Sequence, residues 1–144
     1  MKIDRMTENQ LEAVAQLEQQ CFSHPWSFNS LEEELNNETS LFFTATEDGA
    51  VVGYIGMSVV VDEGYIFNVA VDNEHRKQGI GSALVETLVT YAKKNNLCFL
   101  TLEVRESNEN ARSLYEKFGF IKVGERKNYY SSPTENAVLM TRYF

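Results

Sequence analysis

The chain has 144 residues, of which 43% are apolar and 24% are charged, and its formal net charge is −8. This length and composition are typical of one globular domain that buries its own core, so we predict a single domain over residues 1–144. The negative charge argues against a general nucleic-acid coat protein, but it leaves room for an anionic ligand held by a local cluster of cations.

The sequence carries no signal for export, a membrane or a metal. The first residues contain no apolar signal-peptide core, and no run reaches the ~18 apolar residues of a membrane span. Cys21 and Cys98 show no CxxC spacing, so we expect neither a zinc site nor a disulfide framework. We therefore predict a cytoplasmic protein with two buried or half-buried free thiols and no metal.

Two helices open the predicted fold. Thr7 and Gln10 have the spacing of a capping box, and apolar residues follow at helical intervals, which predicts a helix over about residues 8–20. A short second helix is expected to start within residues 27–29 and to end at the Asn36–Asn37 pair.

Three β-rich runs follow, and turn signals ending in Gly49 and Gly64 separate them. Short runs joined by such tight turns predict an antiparallel meander. The runs are LFFTAT over residues 41–46, AVVGYIGMSVVV over residues 50–61 and GYIFNVAV over residues 64–71.

The second half alternates helices and strands. We predict a helix over residues 82–95, a doubly buried strand over residues 97–104 and a helix capped by Ser107 or Asn108 that stops at Gly119. Two strands, within residues 119–130 and 136–144, complete the chain. A strand–helix–strand crossover beside a meander predicts an α/β fold whose mixed sheet has helices on both faces.

The turn before the third helix has the composition of an anion site. Arg76 and Lys77 precede Gly79 and Gly81 in HRKQGIG. The first amides of a helix lack partners within the helix, the helix dipole adds positive charge there, and glycine lets the backbone approach a phosphate. The loop fits neither a Walker A motif nor a full GxGxxG fingerprint, because Leu84 replaces the third glycine. A tight turn with a solvated basic pair is the alternative.

Several motifs together resemble one enzyme family. NVAVDNEHRKQGIGSALV, which contains R-x-x-G-x-G, resembles the acetyl-CoA-binding motif of the GNAT family of N-acetyltransferases, and LEVRESNENARSLYEKFGF resembles its following segment. The order of elements also matches, so the resemblance covers nearly the whole chain. CFSHPWS and RKNYY are similar to segments of the group within this family that acetylates the N-terminal alanine of ribosomal proteins. The resemblance implies acetyl-CoA as co-substrate and the N-terminal segment of a protein, in this group a ribosomal one, as partner.

The resemblance also implies which residues hold the cofactor. The pantetheine arm would pair with the backbone of Asn68, Val69, Ala70 and Val71, and the N–H near Val69 would polarise the thioester oxygen. Asn108 matches a family position that contacts CoA, and its alternative role is that of an N-cap. The pyrophosphate would lie on the loop formed by Arg76, Lys77, Gln78, Gly79, Ile80, Gly81 and Ser82.

Two side chains are candidates for proton transfer. Glu103 interrupts an apolar strand and is the predicted base for the acceptor amine, and the alternative is an ion pair with Arg105 on the same strand face. The resemblance carries Tyr115 to the general acid that protonates the leaving thiolate, although a helical tyrosine between apolar residues is more often core. Neither cysteine falls at a motif position, so direct attack in a ternary complex is expected. His24 and His75 receive no catalytic role.

The acceptor is expected to meet the first two helices, their loop and the Tyr129–Ala137 hairpin. Acidic residues of the second helix could favour a basic peptide, or could form a solvated helix face. The chain has Glu135-Asn136-Ala137 where the group carries Glu-Asp-Ala, which leaves the identity of the peptide less defined than the cofactor. The alternatives are acetylation of a lysine, a polyamine or another small amine, and a non-catalytic CoA-binding module.

Overall fold

A computed structural model describes residues 1–144. It contains one seven-stranded sheet in the order β1-β2-β3-β4-β5-β7-β6 and four α-helices, so the predicted mixed α/β sheet is confirmed. No helix is long and apolar enough to cross a membrane. The elements are β1 (Lys2–Arg5), α1 (Leu11–Cys21), α2 (Phe28–Leu35), β2 (Ser40–Glu47), β3 (Ala50–Val60), β4 (Glu63–Val71), α3 (Ile80–Lys94), β5 (Phe99–Arg105), α4 (Glu109–Lys117), β6 (Ile121–Tyr130) and β7 (Glu135–Tyr143).

Local sequence signals account for most of these boundaries. The Thr7 amide donates to the side chain of Gln10 at 3.0 Å in the predicted capping box. Ser27 caps α2 by accepting from the Ser30 amide at 3.1 Å. Helix α4 ends where Gly119 adopts a φ of +86°. The expected caps are therefore present, and they fix where each helix starts or stops.

Several sequence-based expectations need correction. Strand β1 was not predicted, because its four residues are mostly polar and exposed. Helix α3 starts at Ile80 and not at residue 82, because Gly79 has a φ of +83° and serves as its N-cap. Cys98 is exposed, whereas Cys21 is half-buried as expected.

Helices cover both faces of the sheet, and each face has its own apolar cluster. On one face, Leu84 and Leu88 of α3 pack with Leu100 of β5, and all three are fully buried. On the other face, Leu11 of α1 and Leu31 of α2 pack on the first strands of the sheet. The expected two-sided arrangement is confirmed, and β4 lies between the two helical layers. The expectation that the next strand is buried on both faces is wrong, because β5 is buried on the α3 face and only partly buried on the other.

The sheet opens in the middle, between its only parallel neighbours. Strands β4 and β5 pair through Glu63–Tyr65 and Phe99–Thr101, and no pairing continues beyond them. The other strand pairs are antiparallel. Because the two strands separate after Tyr65, their carboxyl-terminal halves border a gap that runs through the sheet.

Candidate active site

The gap between β4 and β5 widens into a cleft of about 650 Å³. One wall is the segment of residues 22–27 between α1 and α2, here called the acceptor loop, and the others come from the two strands, α4 and the end of β6. The cleft brings together five of the residues singled out in the sequence, namely Asn68, Val69, Glu103, Asn108 and Tyr115.

Strand β4 presents unpaired backbone to this gap. Asp72 donates its N–H to the Val52 carbonyl of β3 at 2.8 Å, so by alternation the main-chain groups of Val69 and Val71 point toward β5. Ala70 lies in the same segment, but its main chain faces β3 and its side chain is buried. Val69 and Val71 are therefore the residues that offer backbone to an extended ligand.

A β-bulge reshapes β4 where the gap begins. Ile66 lies opposite Met57 and Val69 lies opposite Ile55, so two residues of β4, Phe67 and Asn68, face one residue of β3. A bulge of this kind bends the strand and redirects its backbone groups. The bend accompanies the separation of β4 from β5.

The glycine loop lies at the end of β4, outside the lining of the cleft. The first hydrogen bond of α3 joins the Ala83 N–H to the Gly79 carbonyl at 3.0 Å. The amides of Ile80, Gly81 and Ser82 consequently have no partner within the helix. These amides and the positive end of the helix dipole form a surface that suits a phosphate.

Cations surround this loop, and one of them was not found in the sequence. Lys117 reaches from α4 and its ammonium group donates to the Ser82 hydroxyl at 3.3 Å. Arg76 folds back toward β4, where its Nε donates to the Val71 carbonyl at 3.4 Å. The thiol of Cys21 also donates to that carbonyl, at 3.5 Å. Lys117 was not predicted, because 35 residues separate it from Ser82.

Glu103 lies on the face of β5 that is turned toward α1. Its neighbours Leu102 and Val104 are buried in the cluster around α3, and successive side chains of a strand point to opposite faces. Its Oε1 accepts from the Nε of Arg126 on β6 at 3.1 Å, and 27% of its side chain is exposed. The alternative partner expected from the sequence, Arg105, pairs instead with Glu135 at 3.2 Å.

Tyr115 approaches the cleft from the opposite face. Its ring is buried beside Phe120, with centroids 5.6 Å apart. Burial raises the pKa of Tyr115 well above its usual range. Every fully enclosed side-chain oxygen or nitrogen of the chain has a hydrogen-bond partner, and the Tyr115 hydroxyl has none in the protein. The hydroxyl must therefore reach the surface of the cleft, although the ring belongs to the core.

The side chains of the two predicted asparagines already have partners. Asn108 caps α4, with its Oδ1 accepting from the Ala111 amide at 3.2 Å. Asn68 donates its Nδ2 to Oε2 of Glu18 at 3.2 Å. The same Glu18 oxygen accepts from the Tyr54 hydroxyl, and Oε1 accepts from the Trp26 amide at 2.9 Å. Burial raises the pKa of Glu18 despite these hydrogen bonds.

Glu18 was missed in the sequence, although a signal was present. It lies seven residues after Leu11 and four after Val14, on the apolar stripe of α1. A carboxylate on such a stripe requires hydrogen-bond partners, since its burial without them is costly.

The mouth of the cleft is bridged by side chains from three elements. Arg105 donates to the Ser131 carbonyl at 2.9 Å and to the Ser23 hydroxyl at 3.3 Å, and its guanidinium lies 4.6 Å from the centroid of the Tyr130 ring. The ring of His24 lies 3.1 Å from the same Ser131 carbonyl. The acceptor loop and the β6–β7 loop are thus tied together beside the cleft.

Two tyrosines at the end of β6 complete this rim. The pKa of Tyr129 is raised, chiefly because its phenol lies near the Glu103 carboxylate, which can accept a hydrogen bond from it. Burial and the charge of Glu103 raise the pKa of Tyr130 to about 12. Both phenols therefore remain hydrogen-bond donors at neutral pH.

A splayed β4–β5 pair, a bulged β4 and a phosphate-compatible helix start suit an extended ligand that carries a phosphate, as acyl-CoA does. The model of the acetyltransferase (GNAT) family matches residues 11–120, and the chain belongs to this family. It is therefore an acetyl-CoA-dependent acetyltransferase, as the sequence predicted.

Within this family, the chain is most informatively compared with enzymes that share one name. The chain is 39% identical to ribosomal protein bS18-alanine N-acetyltransferase of Haemophilus influenzae, over 92% of this chain and 91% of the relative. It is 36% identical to the enzyme of that name from Escherichia coli, over 96% and 94%. The crystal structure of the ribosomal-protein-S18-alanine N-acetyltransferase from Escherichia coli superimposes with a TM-score of 0.92 at 35% identity, over 99% of this chain and 92% of that one.

Proposed function

We propose that this chain transfers the acetyl group of acetyl-CoA to the α-amine of a protein N-terminus, the N-terminal alanine of ribosomal protein bS18, in the cytoplasm. The observation that carries the proposal is the gap through the sheet, with Glu103 facing α1 on one side and Tyr115 reaching the cleft from the α4 side. An amine can enter from one face while the thiol departs toward the other. The names of the relatives support the acceptor.

The cofactor is held by backbone along most of its length. The pantetheine arm extends β4 as an added strand on Val69 and Val71, and the pyrophosphate lies on the amides from Lys77 to Ser82. Arg76 leaves the Val71 carbonyl when the arm takes its place. The Val69 N–H donates to the thioester oxygen, where negative charge develops as the amine attacks.

Proton transfer is divided between the two faces. An N-terminal amine has a pKa near ~8 and is largely protonated at neutral pH, so it needs a base. Glu103 removes this proton, either directly or through a water molecule, and its Oε2 is free of the ion pair that Arg126 makes with Oε1. The nitrogen then attacks the thioester carbon, the C–S bond breaks, and Tyr115 donates its proton to the sulfur. The raised pKa of Tyr115 keeps that proton available. The new amide nitrogen loses its remaining extra proton, which returns through water to the Tyr115 phenolate, and Glu103 releases its proton to solvent.

The bridge between the acceptor loop and the β6–β7 loop favours a chain end over an internal lysine. The contacts of Arg105 and His24 with Ser131 join these two loops beside the cleft. A peptide that enters end-first needs room for one strand of chain, whereas an internal lysine brings chain on both sides. Loops held together at this point therefore disfavour the lysine alternative. The presence of both Glu103 and Tyr115 in the cleft disfavours the non-catalytic alternative.

The test compares acceptors under identical conditions. Peptides with a free N-terminal alanine, the same peptides with a blocked N-terminus and an internal lysine, and spermidine are incubated with acetyl-CoA, and CoA release is followed. We expect turnover only on the free α-amine. Turnover confined to blocked lysine peptides or spermidine would refute the proposed acceptor but leave the cofactor site intact.

Paired variants test the two catalytic roles. Glu103→Gln keeps an acceptor for Arg126 but removes the base, so kcat should fall by ~100-fold or more. Its control is Glu125→Gln, which removes a carboxylate of an ion pair outside the cleft. Tyr115→Phe should lower kcat by a similar factor, and its control is Tyr91→Phe, a half-buried tyrosine of α3. Equal rates for a variant and its control would remove that residue from the mechanism.

A further inference from the structure

A fully buried carboxylate links the acceptor side of the cleft to the cofactor side. Glu18 has no exposed surface. It accepts from Trp26 of the acceptor loop, from Tyr54 of β3 and from Asn68 of the β4 bulge. The catalytic roles proposed above do not use it.

The chemistry of its partners explains why a carboxylate is required at this position. The backbone N–H of Trp26, the hydroxyl of Tyr54 and the amide nitrogen of Asn68 all act as donors. An ionised carboxylate is acceptor-only and can satisfy all three. A glutamine of the same shape would turn an NH₂ group toward at least one donor, whichever way its amide is rotated. A buried donor left without an acceptor is costly.

Two of these donors lie in the acceptor loop and in the β4 bulge, whose relative position determines where the amine meets the thioester. Trp26 belongs to the loop that forms the acceptor wall, and its ring packs on Phe67 of the bulge with centroids 5.1 Å apart. Asn68 follows Phe67 in the bulge and precedes Val69, whose N–H is the proposed donor to the thioester oxygen. A shift of the wall relative to the bulge would move the acceptor amine away from the carbonyl carbon.

We infer that Glu18 is a positioning residue for acetyl transfer, which holds the acceptor loop against the β4 bulge so that the amine meets the thioester. It acts through Trp26 and Asn68 and does not touch the reacting atoms. The inference rests on the proposed transfer to an amine that enters past the acceptor loop. Misplacement of a reacting group by about 1 Å lowers rates by ~100-fold.

The chain contains an internal probe of this role, because Trp26 is its only tryptophan. In Glu18→Gln, we expect a shift of tryptophan emission to longer wavelength, greater acrylamide quenching, and a fall in kcat/KM for the acceptor of about 10- to 100-fold. The dissociation constant of CoA should change less than kcat/KM for the acceptor does, since the loop that would take its pyrophosphate does not contact Glu18. The matched control is Thr44→Val, which removes a buried hydroxyl that donates to Gln10 at 3.1 Å outside the cleft.

A second variant keeps the test decisive if Glu18→Gln does not fold. Tyr54→Phe removes one of the three donors and keeps the buried ring, and we expect a smaller change of the same kind. Wild-type emission and wild-type kcat/KM in the folded variants, with melting temperatures lowered as in Thr44→Val, would overturn the inference. A wild-type protein that acetylates none of the peptides would instead refute the proposed acceptor, and the fluorescence comparison would still decide on Glu18.

Discussion

Replacing Gly79 with alanine should weaken acetyl-CoA binding although the new methyl group meets nothing. Gly79 has a φ of +83°, and no atom lies within 4 Å of the position that a Cβ would take. The effect must therefore come from the backbone. A residue with a Cβ is destabilised by about 1–2 kcal/mol in this left-handed conformation.

The size of the binding defect follows from how the strain is relieved. If the alanine of the Gly79→Ala variant relaxes to a negative φ in the free protein, the neighbouring amides turn away from the phosphate position, and binding must restore the strained conformation. The dissociation constant of CoA then rises by about 5- to 30-fold, because 1.4 kcal/mol corresponds to a factor of about ten. The KM for the acceptor should not change, since the loop lies outside the cleft.

Gly49 provides a matched control in the turn between β2 and β3. It also has a φ of +83° and no atom within 4 Å of a built Cβ. Gly49→Ala should lower the melting temperature by about 2–8 °C, and Gly79→Ala should lower it by less, because the strain that it relieves in the free protein reappears as weaker CoA binding. Titration calorimetry with CoA should separate them, with a defect only in Gly79→Ala. A Gly79→Ala variant with a melting temperature close to wild type and unchanged CoA affinity would refute the phosphate role of this loop, because the strain would then have been relieved without any effect on binding.

Three further predictions concern charges and protons. Because burial raises the pKa of Tyr115, kcat should show no decline up to about pH 10, the usual tyrosine value, and an earlier alkaline decline that Tyr115→Phe abolishes would contradict this. Hydrogen bonding from Ser107 lowers the pKa of Glu135, so its stabilisation is present above the unfolded pKa of about 4.3 and is lost as pH falls through the lower folded value. The melting temperature of Glu135→Gln should therefore lie below wild type at pH 7 and converge with it as the pH falls below the unfolded value, and a constant difference would contradict the linkage. The Arg126 ion pair with Glu103 is half-exposed, so Arg126→Gln should lower the free energy of unfolding by less than about 1 kcal/mol and kcat/KM by less than about fivefold, and a larger loss would give Arg126 a direct role.

Local sequence patterns predicted the elements whose signals are local. Helix α2 begins after Ser27 and α4 stops at Gly119, as capping chemistry requires. Strand β1 was not predicted, because its residues bury little apolar surface and pair with β2, which lies about forty residues further along the chain. The sequence pattern predicts the start of α3 two residues late, because the left-handed conformation of Gly79 is a property of the folded loop.

Residues of the candidate site that belong to sequence motifs could be predicted. Contacts that depend on how the strands pair could not. Glu103 and Tyr115 were found through their motifs, and both line the cleft. The ion-pair partner of Glu103 was not predicted, because the position of Arg126 depends on irregular pairing between β6 and β7. Lys117 and Glu18 reach the site across 35 and 50 residues of sequence. The position of Glu18 on the apolar stripe of α1 indicates that it has partners, but the identity of partners so far away in the sequence is decided by how the helices pack on the sheet.

The most direct measurement uses one peptide that offers both amines, a free N-terminal alanine and an internal lysine. After incubation with the enzyme and acetyl-CoA, fragment-ion mass spectrometry locates the acetyl group. The account predicts acetylation of the α-amine alone in the wild type, and at a rate reduced by ~100-fold or more in Glu103→Gln. Acetylation of the lysine, or an unchanged rate in Glu103→Gln, would contradict it.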